Sequence, residues 1–185
     1  MLNLKEYSET PRLLADYLPW ACLVAPGVVL NKDGSFQTTF RYRGPDLESS
    51  TEEELVSVMA RVNNVLRRFG SGWALFFEAQ REEIHDYPEC GFPDAASWLI
   101  DQERARYESH YYLTLLWLPS ADTTGRAEKV LIERVETEDA ETWRQRLETF
   151  EQHTARVFDL LATCLAEIHH LGDDETLTYL LSTIS

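Results

Sequence analysis

The sequence predicts an α+β domain: an antiparallel or mixed sheet of about four to five strands packed by helices, one of them long and C-terminal. Three observations predict it. Short runs at 21–30, 36–43, 73–79 and 109–118 are apolar or alternate with the period of two that strands require. Stretches at 51–69 and 140–171 instead carry apolar residues at steps of three and four, the period of a helix with one buried stripe. The composition, 44% hydrophobic with eight Phe, eight Tyr and five Trp in 185 residues, supplies enough apolar area for a core.

A short helix is expected over 7–17, with Pro11 near its start. After Pro19, apolar runs at 21–25 and 28–30 flank the turn signal Pro26-Gly27. Asn31-Lys32-Asp33-Gly34 is hairpin chemistry, with Gly34 free to take a positive φ. The returning strand puts Phe36, Thr38, Phe40 and Tyr42 on one face and Gln37, Thr39, Arg41 and Arg43 on the other. One face is core; the other is wet or meets a partner. Gly44-Pro45-Asp46 ends that strand. Thr51 and Glu54 form a capping box, and three acids suit the positive end of the helix dipole. Leu55, Val58, Met59, Val62, Val65, Leu66 and Phe69 share its stripe, Arg67 and Arg68 oppose its negative end, and Gly70 stands where a C-terminal cap belongs.

An aromatic strand follows at 73–79, then a polar loop at 81–93, then a helix from 94 to about 108. The run at 109–118 is apolar on both faces, which places it centrally in the sheet. Residues 119–125 form a turn or loop, and 129–135 reads either as an edge strand or as a flexible excursion. From 140 to 171 there is neither Gly nor Pro, and Trp143, Leu147, Phe150, Thr154, Val157, Leu161, Cys164, Ile168 and Leu171 make a heptad-like seam. Gly172 stops it and Asp173-Asp174 restart a helix. We therefore expect an N-terminal α+β domain over 1–172 and, at 173–185, the start of a following helical segment that breaks off inside an apolar pattern.

The net charge of −15 excludes non-specific binding of nucleic acid, which needs Lys and Arg to displace counterions. Cysteines at 22, 90 and 164 make no disulfide framework, and Cys22 and Cys164 read as core. The apolar run at 18–30 is too short for a bilayer and is broken by Pro19, Pro26 and Gly27. No Gly precedes a Lys, so no phosphate-cradling loop exists. The acidic triplets at 52–54 and 173–175 open helices, where capping explains them, and His169-His170 are expected to close one. His85, His110 and His153 lack metal-ligand spacing with each other or with Cys90. No catalytic, cofactor or metal residue emerges, so the chain is not expected to be an enzyme. The candidate partner-binding residues are Leu18 and Trp20 in the apolar run, Arg41 and Arg43 on the second strand face, and Trp143 and Leu147 on the seam.

Several blocks resemble the N-terminus of TrbE conjugal-transfer proteins. They are Leu13-Leu14-Ala15-Asp16-Tyr17-Leu18-Pro19-Trp20, Val24-Ala25-Pro26-Gly27-Val28-Val29-Leu30, Phe40-Arg41-Tyr42-Arg43-Gly44-Pro45-Asp46-Leu47, Phe69-Gly70-Ser71-Gly72-Trp73-Ala74-Leu75-Phe76-Phe77 and Glu175-Thr176-Leu177-Thr178-Tyr179-Leu180. These are VirB-type ATPases of type IV secretion. The resemblance implies an α+β assembly and docking domain that contacts inner-membrane secretion components, peripheral at the cytoplasmic face of the bacterial inner membrane. It also implies contact with its own ATPase domain and with further copies of itself, and no direct contact with nucleic acid. ATP and Mg are expected only in the C-terminal domain, whose motifs this chain lacks. An alternative is a self-association module built on the 140–171 seam.

Overall fold

A computed structural model describes residues 13–46, 49–83, 107–119 and 137–184. One helical turn, α1 (Leu14–Tyr17), leads into β1 (Trp20–Ala25), which folds back through Pro26-Gly27 onto β2 (Val28–Asn31) and then β3 (Phe36–Arg43). Next come α2 (Glu52–Leu66), β4 (Trp73–Glu83), β5 (Tyr107–Trp117), α3 (Thr137–Ala162), β6 (Glu167–His170) and α4 (Asp173–Ser182). The six strands pair antiparallel in the order β1-β2-β3-β5-β4, with β6 on the remaining edge of β3. The α+β class therefore stands, with the sheet antiparallel throughout. The expected elements at 7–12, 84–106 and 129–135 lie outside the described residues.

The turn chemistry acts as read. Gly27 and Gly34 both take positive φ, 66° and 82°. Thr51 caps α2, its hydroxyl accepting from the Glu54 N–H while the Glu54 carboxylate accepts from the Thr51 N–H at 2.9 Å. Gly70 does not cap this helix. Arg67 is the C-cap in right-handed geometry, and the positive φ falls on Gly72, two residues later.

One face of the sheet carries the main core. Phe40, Leu113 and Leu115 pack with Val65 of α2 and Val157 and Leu161 of α3. Val28, Leu30 and Phe36 pack with Phe150 of α3. Trp73 touches both clusters and stacks on Phe150 with ring centroids 5.6 Å apart. The other face is covered by α4, where Tyr179 and Leu180 bury Val29 and Leu171. The second face of β3, expected to be wet or to meet a partner, is thus partly dry: Gln37 and Thr39 are buried, whereas Arg41 and Arg43 stay exposed.

Three expectations are corrected. The seam is helical only to Ala162; Cys164 lies in the turn that follows, Ile168 in β6 and Leu171 just beyond it. β2 pairs only with the first residues of β3, so Phe40–Arg43 would leave a bare edge, and β6 fills it. His169 and His170 accordingly sit in a strand, not at a helix end. β4 also runs on to Glu83 and β5 begins at Tyr107, where polar residues had suggested a loop and a helix end. The Arg81 guanidinium over the Tyr107 ring, 4.4 Å from its centroid, helps hold this polar ribbon. Cys22 is exposed rather than core, whereas Cys164 is buried.

Candidate functional site

α2 has the stripe of a helix meant to be covered, yet Val65 is its only buried residue. Met59 is 69% exposed and Val56 63%. The helix stands off the sheet, and between them lies a cavity of about 530 Å³. Leu55, Val58, Met59 and Val62 form one wall, Phe77 and Leu113 the floor, and Leu161 and Leu165 also line it. The only polar side chain on it among the described residues is Tyr42, whose phenol is raised above its ordinary pKa by burial and then by the neighbouring Tyr111. A small-molecule site of this size needs several convergent polar groups to orient its ligand. This cavity has one. It suits apolar side chains projected by another protein element, as when an amphipathic helix lies in a groove.

The opposite face is built around a directed chain of hydroxyls. Tyr179 donates to Glu78 Oε2 at 2.8 Å. Thr114 can then only donate to the Tyr179 oxygen, at 3.2 Å, and Thr39 to Thr114, at 2.9 Å. Gln80 closes the far end, donating to Glu78 and to Ser182, both at 2.9 Å. Burial pushes the Tyr179 phenol up to about 12. These bonds hold α4 against the sheet and leave Leu177 and Leu181 outward and exposed.

The hairpin turn is held to the same unit. Gly27 N–H donates to Asp173 Oδ1 at 2.8 Å, and the Thr38 hydroxyl donates to the Gly27 carbonyl at 3.0 Å. That hydroxyl has one proton, so His170 Nε2, 2.8 Å away, carries the proton of their shared bond. Burial, then His169, lowers the His170 pKa, which keeps the ring neutral in this setting. At the head of α4 the Glu175 carboxylate accepts from Gly172 N–H and meets His169 Nε2, each at 2.9 Å, and these bonds lower its pKa.

The six residues singled out from the sequence do not converge. Trp20 is half-buried and packs on the Val29, Leu171, Tyr179 and Leu180 cluster beneath α4; Leu18, also half-buried, precedes it. Trp143 and Leu147 are half-buried on the other face, against Val28, Leu30, Phe36 and Phe150. Arg41 and Arg43 lie at the far end of β3, where Arg43 pairs with Glu167 at 2.5 Å. The groove was missed, although two signals pointed to it. The α2 stripe is wider than one sheet contact needs, and adjacent Phe76 and Phe77 put aromatic rings on both faces of β4.

Nothing in this geometry assembles a reaction. Among the described residues no three His, Cys, Asp or Glu are grouped to hold a metal ion, and the two carboxylates with displaced pKa values, Glu54 and Glu175, are lowered by hydrogen bonds rather than raised toward neutrality. Among the described residues no helix is long and apolar enough to cross a membrane.

Comparison with known proteins accounts for a domain of this kind. Residues 27–124 match the family described as the N-terminal domain of the type IV secretion system ATPase VirB4/TrbE. The conjugal transfer protein TrbE of Rhizobium radiobacter is 33% identical over 177 residues, which cover 90% of this chain and 22% of that protein. The first portion of a probable conjugal transfer protein TrbE of Sinorhizobium fredii, a chain in its own right, is 36% identical over 141 residues, 70% of this chain and 95% of that one. The type IV secretion system protein virB4 of Brucella suis is 27% identical over 135 residues, 69% of this chain and 16% of that protein. The chain thus spans about a fifth of the Rhizobium relative and nearly all of the Sinorhizobium one.

Proposed function

The chain belongs to the family of VirB4/TrbE N-terminal domains of type IV secretion ATPases, and from that premise we propose that it is a docking and assembly domain for conjugative transfer. It has no catalytic centre of its own in this reading. Its partners are inner-membrane components of the secretion apparatus, and its place is peripheral, at the cytoplasmic face of the inner membrane. ATP and Mg belong to the ATPase portion of such a protein, not to these residues.

The observation that carries the reading is the apolar groove beneath α2, which has the volume of a binding site without the polar groups of a substrate pocket. The acidic surface agrees with it, since a charge of −15 disfavours direct attachment to anionic lipid or DNA and leaves a protein as the membrane contact. Self-association through the 140–171 seam gains little from the geometry, because Phe150, Val157 and Leu161 are already buried in the chain's own core.

The test is retention of a detergent-solubilised inner-membrane protein of the same conjugation system on the immobilised chain. Met59→Asp places a charge in the groove at a residue 69% exposed, so the fold tolerates it. At least tenfold weaker retention is expected. Equal retention by both proteins, or none by the unmodified chain, counts against the reading.

A further inference from the structure

α4 is apolar on two sides. Thr176, Tyr179 and Leu180 are buried against the sheet, while Leu177, Leu181 and Ile184 are 48%, 64% and 41% exposed. Steps of four and three place these three on one stripe. Ile184 continues the helical path, its N–H donating to the Leu181 carbonyl at 3.2 Å. A ten-residue helix with apolar residues on both sides has the pattern of one packed between two neighbours, and the sheet is the first of them. The stripe is also held rigidly. Tyr179 and Ser182 bond to Glu78 and Gln80 of β4, and Asp173 bonds to the Gly27 turn. A surface fixed in this way can bind without first paying to order itself.

We propose that the Leu177, Leu181 and Ile184 stripe is the seat of the polypeptide portion that follows this domain in the longer relatives, whether joined to it or present as a second chain. The Rhizobium relative matches 90% of this chain with 22% of its own length, so most of its mass lies beyond the matched domain. α4 is the last helix of that domain, and its outer stripe is where following residues would first meet it. This face is opposite the α2 groove, so one domain holds its own ATPase portion on one side and a secretion component on the other. The inference rests on the docking reading for the identity of the partner, but uses a separate surface.

The experiment joins the full chain to the follow-on portion of the Rhizobium relative as one polypeptide, where the high effective concentration lets even a weak contact register. Hydrogen exchange of the amides at 177–184 is compared between the joined protein and the chain alone. Exchange at least tenfold slower in the joined protein is expected. Leu181→Asp should restore the faster rate, with Leu177→Asp as a second variant, and both sites are exposed enough to leave the fold intact. Met59→Asp should leave the slow exchange in place, which separates failure here from failure of the groove reading. Equal exchange in the two proteins overturns the proposal. So does a dimer of the chain alone that Leu181→Asp abolishes, because it assigns the stripe to a second copy.

Discussion

Gly27→Ala would test whether the hairpin turn and the C-terminal helix form one packed unit. Gly27 has a φ of 66°, where an L-residue costs about 1–2 kcal/mol. Its new Cβ would press into the Leu171 carbonyl oxygen and lie 2.6 Å from His170 Cε1. The carbonyl is backbone and cannot swing aside, since the Leu171 N–H is itself fixed to the Thr39 carbonyl at 3.1 Å. Relief therefore means lifting the turn, at the expense of the bonds from Gly27 N–H to Asp173 and from Thr38 to Gly27. Overpacking of this kind costs about 1–3 kcal/mol, so the total is about 2–5 kcal/mol. Urea unfolding followed by tryptophan fluorescence reads it directly. With a slope of about 1–3 kcal/mol per molar, the midpoint should fall by about 1 M or more. Gly44→Ala is the control, because nothing lies within 4 Å of its added Cβ, and it should stay within about 0.5 kcal/mol of the unmodified chain. If the two variants unfold at the same urea concentration, the turn is not packed on the β6–α4 junction and the two do not form one unit.

Tyr179→Phe removes the donor at the centre of the hydroxyl chain and should cost about 1–2 kcal/mol, and a double-mutant cycle with Glu78→Gln should show the two residues coupled rather than additive. Because burial raises the Tyr179 phenol from 10 to about 12, the stability it contributes is full below pH 10 and is lost as pH rises through 12; alkaline spectrophotometric titration of the folded chain should show one tyrosine ionising last, absent in Tyr179→Phe. His170 and His153 run the other way: burial lowers both below 6.5, with His169 and Arg156 adding to it and Glu175 opposing it at His170, so the folded state binds fewer protons. Their contribution is full above pH 6.5 and falls away below it, and unfolding midpoints between pH 7.5 and 5 should drop less in His170→Gln. Leu161→Ala, at a side chain 2% exposed in the main core, should cost about 2–5 kcal/mol in urea unfolding; a cost below about 1 kcal/mol would mean that α3 does not pack on the sheet as described.

Features settled within a few residues are legible in the amino-acid sequence. The Pro26-Gly27 and Asn31–Gly34 turns, the Thr51 capping box and the alternation along β3 are of this kind, and each stands in the fold. Features decided by distant edges are not legible there. Nothing near Ala162 breaks a helix, and the apolar spacing runs on unbroken to Leu171. The local hints were weak ones: the Thr163 hydroxyl and the Cys164 thiol both turn back to the Leu160 carbonyl, at 2.7 and 3.4 Å. The decisive term is the open edge of β3 at Phe40–Arg43, more than a hundred residues away in sequence, whose backbone groups residues 167–170 satisfy. The misplacement of His169 and His170, and the buried state of Thr39, follow from that one strand. The groove escaped for a related reason: periodicity says which side of α2 is apolar, but not how far the helix stands from the sheet.

The short β6 also determines how the domain faces its surroundings. Had α3 continued to Leu171, that residue would have joined the seam on the first face, and the chain would have left the domain on the side that already carries α2. Instead the strand hands the chain across the edge of β3, Leu171 buries on the second face, and α4 closes over Val29 and the hydroxyl chain. Two exposed apolar surfaces result, the α2 groove and the α4 stripe, with a hydrogen-bonded sheet between them. Two such surfaces would ordinarily invite self-association. The charge of −15 opposes it, since repulsion between copies acts at distances where neither surface has yet made contact. Raising the salt concentration screens that repulsion while leaving apolar contacts intact. Sedimentation of the chain in rising salt should therefore show association increasing, and Met59→Asp or Leu181→Asp should each reduce it at the surface they alter.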